Sequence, residues 1–440
     1  MDSVTAGRVR EVLAKHMLAD GLDLVIDLEQ SKGSWLVDKK GGARYLDFFS
    51  MYASMAVGYN HPKLRAVQKE LGAIAINKPS NPDAYTETMA EFVETFSQAA
   101  IPDYLPHAFF IEGGALAVEN GLKAAFDWKV RKNLAQGYTG ERGTQVIHFE
   151  QAFHGRSGYT LSLTNTHDSR KTKYYPKFKW PRIPNPKLTF PLNAENQSQV
   201  EAAERKALKE IEQVLATHGD DVAALIIEPI QGEGGDNHFR PEFLQQLRQL
   251  CNENDVLFIL DEIQTGVGLT GKFWAHEHLY AKPDILVFGK KTQVCGILVS
   301  RRIDEVAENV FHESSRINST FGGNLVDMAR FTHILRIMEQ EKLVNNAATQ
   351  GSLLLSEIQK MAHEFPQLVS NPRGRGLMCA FDLPDSQTRD RMRTTLMAKK
   401  LLILGCGEKS IRFRPHLNVK AEEIQEGMEI VGAALKEIAA

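Results

Sequence analysis

Two neighbouring lysines directly follow a short apolar segment and are the first candidates for chemistry. The apolar segment is Ile285–Phe288, and only Gly289 separates it from Lys290 and Lys291. A lysine amine forms Schiff bases with carbonyl compounds, and burial lowers its pKa so that it can act as a nucleophile or base. Adjacent lysines are usually exposed on a protein surface. Because these two follow a predicted buried strand, we expect one of them to point into a ligand-binding crevice.

A carboxylate ends a second apolar segment about thirty residues earlier. Asp261 follows residues 256–260, and a carboxylate buried at that point needs a positive partner. The protonated ring nitrogen of a cofactor would be such a partner, since a ring held in this state withdraws electrons from a bound substrate. The alternative is an aspartate that caps a helix. The lysine pair that follows favours the cofactor interpretation.

The segments that position these residues predict an α/β fold. Residues 223–227 and 256–260 are short, uninterrupted apolar runs, as expected for parallel strands that are covered on both faces. Residues 241–252 carry an apolar stripe with helical spacing. Further strands are predicted at 108–111, 145–149, 285–288 and 296–300, and a further helix from 115 to about 131. Together they predict a mostly parallel sheet of six or more strands, which binds ligands beyond the carboxyl ends of its strands.

The C-terminal part of the chain predicts a second, smaller domain. Long amphipathic helices dominate it, with short strands predicted around 378–381, 402–404 and 411–413. In the last helix, five apolar residues recur at steps of four and three: Ile424, Met428, Val431, Leu435 and Ile438. Earlier in the chain, residues 171–191 contain five prolines. That stretch predicts a long irregular loop of the kind that often serves a site.

The composition favours an enzyme that acts on small molecules in the cytoplasm. Of 440 residues, 43% are hydrophobic and 24% are charged, and the formal net charge is −3. No excess positive charge is available to attract nucleic acid or a membrane surface. The four cysteines are scattered without a CxxC pair, and no apolar run is long enough for a signal peptide or a membrane span.

Two motifs with familiar spacing are interpreted as coincidences. Residues 266–272 read GVGLTGK, but Phe273 replaces the hydroxyl residue that a P-loop needs for its metal ion. His276 and His278 have the wrong spacing for a zinc pair on a helix. We therefore predict no metal site.

A long set of motifs resembles one enzyme family. The segments that carry the resemblance occur in the family's order and are residues 109–119, 153–156, 227–235, 260–273, 282–290 and 319–323. They are similar to the signature of class III pyridoxal-phosphate aminotransferases. The resemblance implies a fold type I transferase that binds pyridoxal 5'-phosphate and forms a homodimer with shared active sites. It also implies a large cofactor-binding domain over residues 66–325 and a smaller α+β domain formed from residues 1–65 and 326–440.

The resemblance implies a role for each residue that contacts the cofactor. The implied set is Lys290 for the Schiff base, Asp261 for the ring nitrogen, Phe153 for stacking on the ring, Gln264 for the phenolic oxygen, and Gly114, Ala115 and Thr320 for the phosphate, with Thr320 contributed by the neighbouring subunit. Lys291 stands where many members have a small residue, so the choice between Lys290 and Lys291 depends on the family register.

Substrate recognition is implied in the same way. By resemblance Arg412 binds the carboxylate beside the reacting carbonyl of a diacid, Arg156 binds a distant carboxylate, and Asn318 lies at the substrate. Glu233 resembles a switch residue that pairs with Arg412 when the substrate has no charge there. An exposed salt bridge is the alternative for Arg412, since Arg414 points the same way along a strand.

Two segments refine the resemblance to one group within the family. Residues 234–242 and 288–296 are most similar to the L-lysine 6-aminotransferases, or lysine ε-aminotransferases. The implied reaction moves the ε-amine of L-lysine to 2-oxoglutarate, giving L-glutamate and 2-aminoadipate 6-semialdehyde, which cyclises to piperideine-6-carboxylate. The alternatives are ornithine or 4-aminobutyrate as the amine donor, and a non-catalytic protein that keeps the fold.

Overall fold

The computed structural model describes residues 4–440, which form strands grouped into several sheets and helices that cover them. The strands are β1 Trp35–Val37, β2 Arg44–Asp47, β3 His107–Ile111, β4 Gln145–Phe149, β5 Arg182–Ile183, β6 Val222–Ile227, β7 Ile230–Gln231, β8 Asn237–His238, β9 Leu257–Asp261, β10 Ile285–Phe288, β11 Cys295–Val299, β12 Ser370–Arg375, β13 Met378–Asp382, β14 Leu401–Leu402, β15 Leu404–Cys406 and β16 Ser410–Phe413. The helices are α1 Val9–Ala14, α2 Ser50–Ala53, α3 Pro62–Ala66, α4 Gln68–Ala75, α5 Glu87–Ala100, α6 Gly114–Ala135, α7 Gly158–Leu163, α8 Ala194–His218, α9 Pro241–Glu253, α10 Leu325–Gln340, α11 Leu343–Glu364, α12 Ser386–Ala398 and α13 Ala421–Ala439. The turn α2 differs from the others because its residues all have positive φ.

A seven-stranded sheet forms the centre of the molecule, in the order β3-β11-β10-β9-β6-β4-β5. Strands β10, β9, β6, β4 and β5 pair in parallel, while β11 runs antiparallel to both β10 and β3. Every residue of β6, β9 and β10 is buried, as expected for strands that have both faces covered. The α/β fold and the mostly parallel sheet predicted from the sequence are confirmed.

The carboxyl ends of the parallel strands bring polar residues to one edge of this sheet. Glu228 directly follows β6, Asp261 ends β9, and Gly289 and Lys290 follow β10. Helix α6 packs across β6, β10 and β11, and its amino end lies just after β3. The edge therefore collects two carboxylates, an amine and the start of a long helix.

The sequence predicted that the whole proline-rich stretch is irregular, but part of it forms a short strand. Arg182 and Ile183 form β5, which pairs in parallel with β4 at the edge of the central sheet. The carbonyl of Pro181 accepts a hydrogen bond from the backbone of His148, and that of Ile183 accepts one from Glu150. Prolines flank these two residues without occupying them, and an edge strand needs hydrogen bonds on one side only. The prediction of a loop across all of 171–191 is therefore wrong at this point.

Two further sheets contain residues from the ends of the chain. Strands β12, β13, β16 and β15 form an antiparallel sheet, and α13 buries the predicted apolar stripe. In a three-stranded sheet, β14 from the C-terminal part pairs in parallel with β2 from the N-terminal part. This pairing supports a small domain built from both ends of the chain, and the boundaries at 65/66 and 325/326 stay predictions. No helix within residues 4–440 is long and apolar enough to cross a membrane.

Candidate active site

Lys290 occupies the turn that follows β10. Its backbone has a φ of 55°, and the turn Lys290–Thr292 separates its side chain from that of its neighbour. The Nζ atom makes no hydrogen bond to any other residue that the structure describes. Burial, together with the charge of Arg412, lowers the pKa of Lys290 to about 8, and Asp261 opposes the shift. A substantial fraction of the amine is therefore neutral near physiological pH, as a nucleophile requires.

Lys291, in contrast, is bound to the backbone of a neighbouring loop. Its side chain is fully buried, and Nζ donates hydrogen bonds to the backbone carbonyls of Gln264 at 3.2 Å and Gly266 at 3.4 Å. Both acceptors lie in the loop that follows β9. Burial lowers the pKa of Lys291 well below its usual value. The geometry thus favours Lys290 over Lys291 as the reactive amine.

Asp261 is buried and paired with a histidine that the sequence analysis left without a role. Its Oδ2 lies 2.8 Å from Nδ1 of His154, and its Oδ1 accepts a hydrogen bond from the backbone of Ile263 at 3.1 Å. The Nε2 atom of His154 is buried without a hydrogen-bond partner among the described residues. His154 lies inside the motif at 153–156, and this motif is the sequence feature that could have indicated its place in the site. The contact fixes the direction of the Asp261 carboxylate.

Glu228 is a second buried carboxylate that the sequence analysis did not assign. Its Oε1 accepts the backbone N–H of Phe153 at 2.9 Å, and its Oε2 accepts that of Gly232 at 3.2 Å. Burial raises the pKa of Glu228 to about 7, with a further contribution from Asp261. Its signal was the same as that of Asp261, a carboxylate directly after a buried strand. Glu228 therefore holds the backbone of Phe153 in place.

The start of α6 forms a natural binding place for an anion. Gly113, with a φ of 95°, precedes the helix, and the N–H groups of its first turn have no helical partner of their own. A Cβ atom added to Gly155 would lie 2.6 Å from the Cβ of Ala115. Only glycine allows this approach, so the loop that carries Phe153 and His154 lies directly against the start of α6. Gly114 and Ala115 are thereby brought beside that loop.

Gln264 is held by a fully buried ion pair. Arg414 donates to Oδ2 of Asp236 from Nη1 at 2.9 Å and to Oδ1 from Nη2 at 2.5 Å. Its Nε and Nη2 also donate to Oε1 of Gln264, at 3.2 and 2.9 Å. Because the arginine occupies the amide oxygen, the amide nitrogen of Gln264 remains as the hydrogen-bond donor. Asp236 and Arg414 were not predicted as site residues.

Arg412 and Glu233 form an ion pair at the edge of the same crevice. Nη2 of Arg412 lies 2.9 Å from Oε2 of Glu233, and Nζ of Lys171 lies 2.5 Å from Oε1. Burial opposes ionisation of Glu233, but Arg412 and Lys171 outweigh it and lower its pKa below the usual value. The Arg412 side chain is only 3% exposed. The alternative of an exposed salt bridge at Arg412 is therefore wrong, since Arg412 lies on β16, whose four residues are all buried.

A cleft of about 570 Å³ lies next to this ion pair. Its walls come from the loop at 166–171, from α12 and from the segment 404–407. Arg412, Glu233 and Lys171 line it together with Arg389 and Arg393. The surplus of cations suits a ligand with carboxylate groups.

Three predicted residues are exposed and make no side-chain hydrogen bond or ion pair to this cluster within residues 4–440. Arg156 is exposed and makes no ion pair with a described residue. Asn318 is also exposed, and its Oδ1 accepts the backbone N–H of Ser319. Thr320 has an exposed side chain, while its carbonyl accepts the Ser80 hydroxyl at 2.7 Å. None of the three is hydrogen-bonded to Lys290 within the part of the chain that the structure describes.

The sequence matches a family model for "Aminotransferase class-III" over residues 18–435. The chain therefore belongs to the class III aminotransferases, as the motifs indicated. It is 51% identical over 434 residues to the L-lysine-epsilon aminotransferase of Mycobacterium tuberculosis, covering 98% of this chain and 96% of that protein. It is 50% identical over 431 residues to the L-lysine-epsilon aminotransferase of Amycolatopsis lactamdurans, covering 97% and 95%. The human mitochondrial 4-aminobutyrate aminotransferase is 33% identical over 423 residues, covering 91% and 82%.

Comparison with solved structures gives the same family. The lysine aminotransferase from M. tuberculosis superposes with a TM-score of 0.96 at 51% identity, covering 99% of this chain and all of that one. Acetylornithine aminotransferase from Elizabethkingia anophelis superposes with a TM-score of 0.76 at 26% identity, covering 99% and 100%. The predictions of an enzyme, of the aminotransferase class and of its fold are confirmed.

The residues present suit pyridoxal 5'-phosphate, the cofactor of this family. The amine of Lys290 has no hydrogen-bond partner within residues 4–440 and has a lowered pKa, as attachment to an aldehyde requires. Asp261 offers a buried carboxylate to a protonated ring nitrogen, and the start of α6 offers N–H groups to a phosphate. The cofactor prediction is confirmed at the level of the family, while the role of each contact residue stays a prediction.

Proposed function

We propose that this chain transfers the ε-amine of L-lysine to 2-oxoglutarate, and that Arg412 and Glu233 let one site accept both substrates. The ion pair between these two side chains, whose arginine charge acts on Lys290, carries the proposal. A donor that reacts at its terminal amine has no charge near the reacting carbon. An acceptor 2-oxo diacid has a carboxylate there. Arg412 suits both substrates if it pairs with Glu233 while the donor reacts and is released from Glu233 when the acceptor binds.

Lysine is the proposed donor because of the relatives. Proteins named L-lysine-epsilon aminotransferase are about 50% identical to this chain over nearly its full length. The protein named for 4-aminobutyrate is 33% identical. An arginine at the far end of the site is the fitting partner for the α-carboxylate of lysine, and Arg156 is the proposed residue. Asn318 is a proposed substrate contact.

Lys290 is the proposed proton carrier. When bound, pyridoxal phosphate supplies an aldehyde for covalent attachment and an aromatic ring that accepts electrons. Lys290 would hold the aldehyde of the cofactor and, once released by the substrate amine, its free amine would take up a proton at the substrate carbon and pass it on. A pKa of about 8 suits an amine that must both accept and donate this proton. The first half-reaction releases 2-aminoadipate 6-semialdehyde, which cyclises to piperideine-6-carboxylate, and the second releases L-glutamate.

The other residues of the site are proposed to hold the cofactor and to orient it. Asp261, directed by His154, would keep the ring nitrogen protonated. Phe153, fixed through its backbone by Glu228, would stack on the ring, and the amide N–H of Gln264 would donate to the phenolic oxygen. Gly114 and Ala115 would bind the phosphate with their backbone N–H groups.

A cytoplasmic homodimer is part of the proposal. Thr320 is proposed to reach the phosphate of the neighbouring subunit. Large apolar side chains lie exposed on the segment that contacts Thr320 through Ser80, with Ile76 81% and Tyr85 82% exposed in the single chain. A second copy of the chain would cover them.

The test compares amine donors in one experiment. Purified protein loaded with pyridoxal phosphate is mixed in parallel with L-lysine, L-ornithine and 4-aminobutyrate, and the cofactor absorbance is followed. L-lysine should convert the absorbance fastest, and 2-oxoglutarate should restore it with formation of glutamate. A faster response to ornithine or 4-aminobutyrate would contradict the proposal and identify the donor instead.

A further inference from the structure

We propose that Lys171 is the second partner of Glu233 and determines how readily Arg412 becomes free for a dicarboxylate acceptor. The inference rests on the proposed function, in which Glu233 covers Arg412 during one half-reaction and leaves it during the other. Lys171 acts through Glu233, so it is a positioning residue and a determinant of acceptor specificity.

Glu233 has one cation on each carboxylate oxygen. Arg412 reaches Oε2 at 2.9 Å, and Lys171 reaches Oε1 at 2.5 Å. The two cations therefore do not compete for one oxygen. Arg412 is only 3% exposed, whereas Lys171 is 21% exposed. Glu233 thus lies between a buried cation on the strand side and a more accessible one on the loop side.

The loop holds Lys171 in this position. Lys171 ends the short helical turn Ser169–Lys171, whose start is capped by the side chain of Asp168. The neighbouring Arg170 is 84% exposed and pairs with Asp168 at 2.8 Å. Arg170 is therefore occupied by Asp168, which leaves Lys171 as the cation of this turn that pairs with Glu233.

A second counterion lowers the cost of separating Glu233 from Arg412. Glu233 is largely enclosed, and an enclosed carboxylate that loses its only cation is strongly destabilised. With Lys171 in place, Glu233 keeps an ion pair when Arg412 turns to the acceptor. Without Lys171, Glu233 would have to remain unpaired or return to Arg412 and displace the acceptor carboxylate.

The two half-reactions should therefore depend differently on Lys171. The lysine half-reaction needs the pair between Glu233 and Arg412 to stay formed, which Lys171 does not oppose. The acceptor half-reaction needs that pair to open. Removal of Lys171 should raise the apparent dissociation constant for 2-oxoglutarate by about tenfold, and that for L-lysine by no more than about twofold.

The experiment measures both half-reactions by single turnover in the Lys171→Met variant of the cofactor-loaded enzyme. Lys173→Met is the matched control, since Lys173 is an exposed lysine on the same loop that lies over Tyr174. Lys171→Arg should recover most of the acceptor affinity because it restores the cation. Equal effects on both substrates in Lys171→Met, or equal effects of the two methionine variants, would overturn the inference.

The same substitution in a Glu233→Gln background tests whether Lys171 acts through Glu233 or binds the acceptor directly. Glutarate, a dicarboxylate without the reactive carbonyl, is titrated by calorimetry into the wild type, Lys171→Met, Glu233→Gln and the double variant. Lys171→Met should weaken glutarate about tenfold with Glu233 present, and about twofold or less in the Glu233→Gln background. An equal loss in both backgrounds would mean that Lys171 contacts the ligand itself, and would overturn the inference.

The wild-type half-reactions distinguish this inference from the proposed function. If L-lysine or 2-oxoglutarate does not react with the wild type, the proposed substrates are wrong. If both react and Lys171→Met behaves like Lys173→Met, only the role of Lys171 is wrong.

Discussion

The chain twice places two like cations close together, and in both places only one of the two is bound firmly to the protein frame. After β10, Lys290 has no hydrogen-bond partner among the described residues, while Lys291 bonds two backbone carbonyls. At the end of β16, Arg412 pairs with a carboxylate that borders a cleft, while Arg414 pairs with the fully buried Asp236. Residue type and local sequence are nearly the same within each pair.

The difference lies in whether the charge has a permanent partner. Lys291 and Arg414 both bind Gln264, the first through its backbone carbonyl and the second through its amide oxygen. Neither bond would need to open during a reaction. Lys290 has no hydrogen-bond partner among the described residues. Arg412 has an ion-pair partner, Glu233, that it can exchange for a ligand. A cation without a permanent partner is therefore the better candidate for contact with a substrate.

The largest expected effect is that of Lys290→Ala. Because Lys290 is the proposed point of cofactor attachment and the proton carrier, turnover should fall by roughly 10⁴-fold. The absorbance of the covalently attached cofactor should also disappear. A spectrum and a single-turnover assay check both effects, and a variant that keeps them would remove Lys290 from its proposed role.

Loss of Arg414 should affect stability far more than loss of Arg412. Arg414→Met leaves Asp236 buried without a cation, so the free energy of unfolding should fall by about 3–5 kcal/mol. Arg412→Met leaves Glu233 paired with Lys171 and should cost about 1 kcal/mol. The free energy of unfolding of each variant is measured by denaturant titration. Equal losses would mean that the two ion pairs do not differ in kind.

Attachment of the cofactor should depend on pH through Lys290. Its pKa is lowered to about 8 in the folded chain, and the neutral amine is the nucleophile. The rate at which cofactor-free protein captures pyridoxal phosphate should therefore rise about tenfold per pH unit below pH 8 and level off above it. Absorbance recorded from pH 6 to 10 gives the profile. A midpoint near pH 10 would show that burial does not lower this pKa.

The smallest expected effect is that of Lys291→Met. The variant loses two hydrogen bonds to carbonyls but gains apolar packing, so the free energy of unfolding should fall by about 1 kcal/mol. Cofactor attachment should persist because Lys290 is intact. Loss of the covalent absorbance in this variant would reverse the assignment of the two lysines.

The sequence alone could predict the elements whose signal is local. Strands β6, β9 and β10 were predicted within one residue or so because both their faces are covered and their side chains are uniformly apolar. The carboxylate of Asp261 was predicted for the same reason, since it stands directly at a strand end. The two-residue strand β5 was missed because its pairing with β4 depends on a distant part of the chain.

The partners of the site residues could not be predicted in this way. Asp236 and Arg414 are 178 positions apart, and nothing near either residue indicates the other. The choice between Lys290 and Lys291 depended on the family register. In the structure, the positive φ of Lys290 and the carbonyls after β9 that receive Lys291 favour Lys290, whose role stays a prediction.

The pair of Asp236 and Arg414 also limits how this chain can be divided. Arg373 adds to the same junction by donating to the backbone carbonyl of Asp236 at 3.0 Å. A fragment that ends before β12 would carry a buried aspartate whose cation is on the missing piece. For an engineer who wants to exchange C-terminal segments between relatives, or to express two fragments and reassemble them, Arg414 must therefore travel with any replacement that is to meet Asp236.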